Sequence, residues 1–495
     1  MKFGTGSEPA VAGAGGGNAI ETDVPARLDR LPWSRWHWMV VIGLGTVWIL
    51  DGLEVTLVGN VGARLTEPGA GIRIAEADIG GLAASLYVAG ACLGALFFGW
   101  LTDRWGRKRL FLITLGVYLA ATALTALSPS PTWFFVCRFL TGFGIGGEYA
   151  AINSAIDELI PSRVRGRVDI VINGSFWLGA VGGSLLSVVM LNEGIFAGDV
   201  GWRLSFGLGA ILGVVILLVR RNVPESPRWL FIHGRAEEAN AIVDDIERQV
   251  ERSTGTPLEP VTEKITIHPR HAIGFREIAQ TLVRAYPRRT VLGFALFVGQ
   301  AFLYNAITFG YATILIKYFD VPSSHTGYYY AVIAIGNFLG PVLLGHLFDS
   351  LGRRVMISST YILSGLLLFG TAALFDAGVL SATGMTACWC VVLFFASTGA
   401  SSAYLTVSEV FPMETRAMAI AFFYALGTAV GGITGPQVFS RLTATGNPDD
   451  VVLAFGIGAA LMVVAGLVAV ALSVNAERKS LEEIATPLSA HQPVP

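Results

Sequence analysis

Twelve apolar runs, each long enough to cross a bilayer, leave this chain few ways to fold. A transmembrane helix needs about 20 predominantly apolar residues. Runs of that order lie near 36–60, 79–101, 110–128, 132–157, 168–191, 202–220, 290–319, 325–348, 355–375, 384–410, 415–440 and 451–474. Inside lipid every backbone N–H and C=O must be satisfied within the protein, so such runs fold as helices. They split six and six around a polar stretch. Of 495 residues, 53% are hydrophobic and 14% charged, against roughly 25% charged in a soluble domain. The expected fold is an all-α membrane protein with twelve transmembrane helices in two pseudo-symmetric six-helix bundles, at 31–221 and 289–475. A linker at 222–288 joins them, with tails at 1–30 and 476–495.

Basic residues set the orientation. With the N-terminus inside, the inner loops hold Arg104, Arg107, Lys108, Arg109, Arg163, Arg165, Arg167, Arg353, Arg354, Arg416, Arg478 and Lys479; the outer loops hold Arg64 and Arg73, with Arg203 and Arg441 near helix ends. Both termini and the linker are therefore expected to be cytoplasmic, in a cell membrane. Residues 1–30, rich in Gly, Ala and Pro and lacking an apolar signal core, read as a disordered tail, and the first run as an uncleaved anchor. In the linker, Ala236, Ala239, Val243, Ile246 and Val250 recur at helical spacing beside acidic residues, an amphipathic helix that Gly234 separates from Pro227-Arg228-Trp229-Leu230. A second short helix is expected over Phe275–Tyr286. The linker is either a structured surface segment or a latch between the halves. Cys92, Cys137, Cys388 and Cys390 all fall in apolar runs without metal-ligand spacing. No basic patch suggests nucleic acid. No nucleophile–base set suggests an enzyme, and no cofactor is expected.

The halves repeat each other. Gly99-Trp100-Leu101-Thr102-Asp103-Arg104-Trp105-Gly106-Arg107-Lys108 returns as Gly345-His346-Leu347-Phe348-Asp349-Ser350-Leu351-Gly352-Arg353-Arg354, Asp103 and Asp349 being 246 residues apart. Glu158 with Arg165 ends the fourth run as Glu409 with Arg416 ends the tenth. Pro224-Glu225-Ser226-Pro227-Arg228 follows the sixth, and Glu477-Arg478 the twelfth. Two similar membrane halves mark a secondary transporter. Charges at one membrane face that pair when it is closed and part when it opens suit a two-state gate, and arginine's planar fork suits carboxylates. The gate candidates are Asp103, Arg104, Arg107, Glu158, Arg165, Glu225, Arg228, Asp349, Arg353, Glu409, Arg416 and Glu477; anchoring and topology control are the alternative role.

The repeated G-x-x-x-D-x-x-G-R-[KR] loop resembles that of the major facilitator superfamily. Arg138-Phe139-Leu140-Thr141-Gly142-Phe143-Gly144-Ile145-Gly146 and Pro224-Glu225-Ser226-Pro227-Arg228-Trp229-Leu230 resemble motifs of its sugar-porter-like group, over about Trp36–Glu483. That group includes sugar porters, aromatic-acid/proton symporters, organic cation and anion transporters, and synaptic-vesicle-protein-2-like carriers. Gln300 and Asn305 match sugar-binding positions of span seven, but Gly299, Phe309-Gly310 and Ala400-Ser401-Ser402 depart from the sugar-porter pattern. Asp51-Gly52-Leu53-Glu54 and Gly146-Gly147-Glu148 look like metabolite/proton symporters. The resemblance implies a monomer.

Ionisable groups inside membranes are costly and mark function. Asp51 and Glu54 share one helical face. Glu54 and Arg138 each lie about six residues, or ~9 Å, from the outer end of their runs, a depth that permits a pair. Glu54 falls where sugar porters carry a protonatable acid and Arg138 where they carry its partner. With Asp51 they are the proton-coupling candidates, a fixed structural pair being the rival. Asp51 could share the proton, hold a cationic substrate group or pin a helix; Glu148 could face the cavity or a neighbouring helix. Substrate candidates are Gln300, Asn305, Tyr311, Trp177, Glu148, Tyr149, Asn153, Tyr404 and Tyr424. Gln300 and Asn305, about 140° apart on a regular helix, would need a helix break to point inward together. Gly142-Gly144-Gly146 and Gly179-Gly182-Gly183 permit close helix packing. The function expected is alternating-access transport of a small polar organic solute (organic acid, sugar or related), with a proton as coupling ion. An uncoupled facilitator or exporter, or a receptor on a carrier fold, is the alternative.

Overall fold

The structure, a computed structural model, describes residues 20–66, 68–75, 82–192, 194–220, 224–267, 280–321, 325–412 and 415–485. The apolar runs are helices: Arg35–Thr66, Ala84–Trp105, Arg107–Ala126, Pro131–Leu159, a fifth in two pieces (Arg165–Gly174 and Phe176–Met190), and Gly201–Arg220 in the first half. Pro287–Phe319, Thr326–Leu344, Arg353–Asp376, Ala382–Val410, Arg416–Ala444 and Pro448–Leu472 form the second half. These are spans one to twelve. Among the described residues, ten are long and apolar enough to cross a membrane. Spans four and seven are 29 and 33 residues long.

Packing repeats with the sequence. Spans one and five, two and four, and three and six pack together in the first half; seven and eleven, eight and ten, and nine and twelve do so in the second. Across the halves, span two meets eleven and span five meets eight. Glycines let backbones touch, since lipid supplies no hydrophobic drive between helices: a Cβ at Gly142 would lie 2.1 Å from the Tyr87 carbonyl oxygen, and at Gly146 2.0 Å from that of Ala91. The close-packing expectation fits there and at Gly179, whose Cβ would meet the Ile49 carbonyl oxygen at 1.8 Å, but not at Gly182, which has ordinary contact only.

One face of the bundle, here the terminal face, carries the N-terminal segment, the middle of the chain and the C-terminal segment. The linker helix is present as Ala236–Thr254, with Ala239, Val243, Ile246 and Val250 buried, and Gly234 ends the preceding helix, Pro227–Ile232, at φ +75°. In place of the second linker helix, Thr281–Ala285 form one wide π-type turn; 275–279 lie outside the described residues. The expectation of disorder over 1–30 fails at its end. Ile20–Thr22 (β1) pairs antiparallel with Ile265–Ile267 (β2), and Val24–Asp29 is a helix. That helix buries Val24 and Leu28 in the cluster holding Val243 and Ile246. Arg27 bonds Asp244 and Glu247, and Arg30 bonds Glu247. Three-residue strands 245 residues apart and a six-residue helix leave no periodicity to read; long-range docking makes them.

Candidate functional site

Between the halves lies a cavity of about 230 Å³. Its walls are aromatic. Trp48 and Tyr149 stack with centroids 4.5 Å apart and planes 6° from parallel. Tyr404 meets Trp48 edge-on at 5.7 Å, and Tyr424 meets Tyr149 edge-on at 4.9 Å. Trp177 of span five stacks on Tyr304 of span seven at 5.3 Å. Each of the last three contacts joins one half to the other. The polar lining comes from Asn173, Gln300, Asn305, Thr308, Ser397, Ser401 and Thr428. The break in span five builds part of this wall. Ser175 turns its hydroxyl onto the carbonyls of Ile172, at 2.6 Å, and Gly45, at 3.2 Å, and Asn173, Phe176 and Trp177 flank the break and face the cavity. Gly-Ser pairs are recognised kink sites, so Gly174-Ser175 is the signal for this break.

Of the substrate candidates, Gln300, Asn305, Trp177, Tyr149, Tyr404 and Tyr424 line the cavity. Gln300 and Asn305 do so from an unbroken helix. No break is needed, because the cavity wraps around that face of span seven. Three candidates do not line it. Tyr311 packs 4.9 Å from Tyr330, which does. Asn153 supports the wall by accepting the amide of Asn173 at 2.9 Å. Glu148 is fully buried elsewhere; neighbours on a helix point about 100° apart, and Tyr149 takes the cavity side. The sequence reading missed Trp48, Tyr87, Tyr304 and Tyr330 as lining groups, because aromatic residues in apolar helices look like packing.

Arg138 Nη2 lies 3.1 Å from Glu54 Oε1, both fully buried in the first half. Thr122 donates to Glu54 Oε2 at 2.9 Å. Arg138 also donates to Thr125 at 3.1 Å and Thr141 at 3.2 Å, and its guanidinium sits 4.9 Å from the centre of the Phe206 ring. Asp51 is fully buried, on the same helix as the cavity-lining Trp48 and Val55.

At the terminal face the repeated charges interlock. Glu158 takes Arg107 at 3.0 Å and, from the other half, Arg416 at 3.5 Å. Glu409 takes Arg353 at 2.9 Å and, from the other half, Arg165 at 3.7 Å. Asp349 pairs with Arg353 at 2.6 Å and accepts the backbone N–H groups of Gly166, at 3.2 Å, and Arg167, at 2.8 Å, across the halves. Those amides open the helix Arg165–Gly174, where a helix end offers unpaired donors and a positive dipole. The loop motif repeats in geometry. Gly106 and Gly352 both have positive φ, +92° and +101°, so that the helices starting at Arg107 and Arg353 can be capped by Glu225 (to Arg107 N, 2.8 Å) and Glu477 (to Arg353 N, 3.4 Å). Burial pushes the Glu225 carboxyl above the usual carboxylate range, against the pull of the Ser226, Arg107 and Lys108 groups around it.

Arg228 reaches Glu482 at 3.2 Å and the Glu158 carbonyl at 2.9 Å. Asp29, not anticipated, lies 3.6 Å from Arg165 and 3.7 Å from Arg228 and accepts Ser162 N–H at 3.1 Å. Arg104 stands apart from the described ion pairs, 3.9 Å from the centre of the Trp100 ring; its place beside that ring fixes it on its own half. The side chain of Asp103 lies outside the described residues.

Comparison with known proteins agrees with this architecture. The family model described as "Sugar (and other) transporter" matches residues 36–488. The chain is similar to the niacin transporter NiaP of Acinetobacter baylyi, 28% identical over 93% of this chain and 99% of that protein. It is also similar to the 4-hydroxybenzoate transporter PcaK of Pseudomonas putida, 25% identical over 90% and 95%. In fold it is similar to the proton:xylose symporter XylE of the major facilitator superfamily, solved with 6-bromo-6-deoxy-D-glucose, with TM-score 0.73 and 18% identity over 90% of this chain and 98% of that one. The family-model match across both halves places this multi-pass membrane protein, with the fold of that symporter, in the sugar (and other) transporter family, a carrier of small metabolites.

Proposed function

We propose that the chain is a proton symporter that accumulates a small organic metabolite across the cytoplasmic membrane, working as a monomer with both termini inside. The observation that carries this reading is the Glu54–Arg138 pair at 3.1 Å, fully buried in the half that supplies the stacked Trp48–Tyr149 wall. A carboxylate there answers to two opposed influences, dry surroundings that favour its proton and a guanidinium that disfavours it. Opening the cavity to one side wets the site and alters both. Protonation of Glu54 removes the charge that holds Arg138, and parting the pair without a proton leaves a buried charge uncompensated. Proton binding and the rearrangement of the halves are thereby linked.

The terminal-face network supplies the second state. Each of its inter-half links couples a residue of one half to one of the other: Arg416–Glu158, Arg165–Glu409 and the two N–H bonds to Asp349. They hold that face shut and must part for release inside. The basic residues gathered there set it on the cytoplasmic side by the charge bias of membrane loops.

The test is uptake of labelled metabolites by proteoliposomes, with and without an inward proton gradient. Accumulation that requires the gradient supports symport. Equilibration indifferent to it makes the protein a facilitator and leaves Glu54–Arg138 a structural pair.

A further inference from the structure

We infer that the cavity binds a single planar aromatic or heteroaromatic ring bearing no negative charge and carrying a hydrogen-bond acceptor or a cationic nitrogen. This rests on the transport reading of the same cavity and names its substrate class.

Size comes first. A cavity of about 150 Å³ holds benzene, so about 230 Å³ accommodates one substituted ring. Shape follows from the walls. The Trp48–Tyr149 stack, 6° from parallel, and the Trp177–Tyr304 stack, 29° from parallel, present flat faces, and offset or edge-to-face stacking on such faces favours a planar π-system.

Charge follows from the lining. Among the described lining residues none is Arg, Lys, His, Asp or Glu. An anionic head would enter without a cation to meet it, and an ionised carboxylate moved from water into such a site is costly. Behind the aromatic wall the interior of the first half holds three carboxyl groups, those of Asp51, Glu54 and Glu148, against the one guanidinium of Arg138. That field and the negative faces of the rings both favour a cation.

Several polar groups of the lining are already committed to the protein. One amide N–H of Asn305 is given to the Ala301 carbonyl at 2.7 Å. That of Asn173 goes to Asn153 at 2.9 Å, and the Tyr304 hydroxyl to Asn337 at 2.8 Å. Among the described residues, the indole Nε1 of Trp48, 5% exposed, and the hydroxyl of Ser397 line the cavity without a hydrogen-bond partner. A buried donor without a partner is costly, and an acceptor on the bound ring, a carbonyl oxygen or a ring nitrogen, completes it.

The test is equilibrium dialysis of four radiolabelled probes against the full chain in nanodiscs at pH 7.5: benzamide, benzylamine (a cation there), benzoate and xylose. Benzamide and benzylamine are expected to bind, and benzoate and xylose to bind at least about tenfold more weakly. Benzoate or xylose binding as tightly as benzamide, or neither neutral nor cationic ring binding at millimolar concentration, overturns the inference. Trp48→Ala is expected to abolish binding of both rings. Trp48→Phe keeps an aromatic face without the Nε1 donor, so it should retain benzylamine and weaken benzamide; equal loss of both would overturn the donor assignment. No gradient is involved, so a failed ranking leaves proton coupling to be judged by uptake, and absent coupling leaves the ranking intact.

Discussion

Asp349→Asn is the most informative single change at the terminal face. The inter-half partners of the Asp349 carboxylate are two backbone amides, Gly166 N at 3.2 Å and Arg167 N at 2.8 Å, so the partners survive the substitution. Asparagine keeps one acceptor oxygen for one N–H and offers an NH₂ to the other. A hydrogen bond to a charged group contributes about 1.5–3 kcal/mol, and a carboxylate at a helix N-terminus about 0.3–1 kcal/mol. Losing one such bond together with the charge should favour parting of the halves by about 2–4 kcal/mol, roughly a 30- to 700-fold change in the open-to-closed ratio. The pair with Arg353 at 2.6 Å lies within the second half, so its loss does not itself part the halves. Spin labels at Arg109 and Ser350, exposed positions on this face in opposite halves, report the separation by double electron–electron resonance. The variant should show a new population at longer distance. An unchanged distance distribution, with the variant folded and purified as the parent, refutes the gating role.

Other consequences are as direct. Gly142→Ala places a Cβ 2.1 Å from the Tyr87 carbonyl oxygen, whereas Gly116 has nothing within 4 Å; overpacking costs about 1–3 kcal/mol, so thermal unfolding in detergent should drop for Gly142→Ala and hold for Gly116→Ala. The N-terminal helix is clamped by Arg27 and Arg30 on Glu247, whose carboxyl they hold below its usual range although burial pulls the other way. A depressed carboxyl pKa stabilises above the unfolded value of about 4.3 and loses that contribution as pH falls through the folded value. Hydrogen-exchange protection of Val24–Asp29 should therefore persist to about pH 4 and fail below it; loss between pH 7 and 5.5 would contradict the clamp. Asp29→Asn keeps an oxygen for Ser162 N–H but drops the charge facing Arg165 and Arg228; the same spin-label pair should show a smaller opening than with Asp349→Asn.

What could be read from the sequence follows from which features are local. Span positions are legible because the bilayer sets a length that apolar runs must meet. The Glu54–Arg138 pair is legible because depth along antiparallel helices is a count of residues. The terminal-face charge network is legible because its charges repeat at nearly equal offset. Long-range features are not legible. β1 and β2 pair across the chain, Asp29 finds Arg165 and Arg228 only once the N-terminal helix has docked, and nothing local separates Tyr304 or Tyr330 from packing tyrosines. Glu148 and Tyr311 misled because residue type suggests a role while helix rotation decides which way a side chain faces.

The central claim is that Glu54 carries the coupling proton, and Glu54→Gln tests it most directly. Glutamine keeps one oxygen for Arg138 and can turn its NH₂ toward the Thr122 hydroxyl, which can accept, but it takes up no proton. In proteoliposomes with an inward proton gradient, the variant should lose gradient-driven accumulation of substrate while counterflow exchange without a gradient remains. Full gradient-driven accumulation by Glu54→Gln would contradict the account.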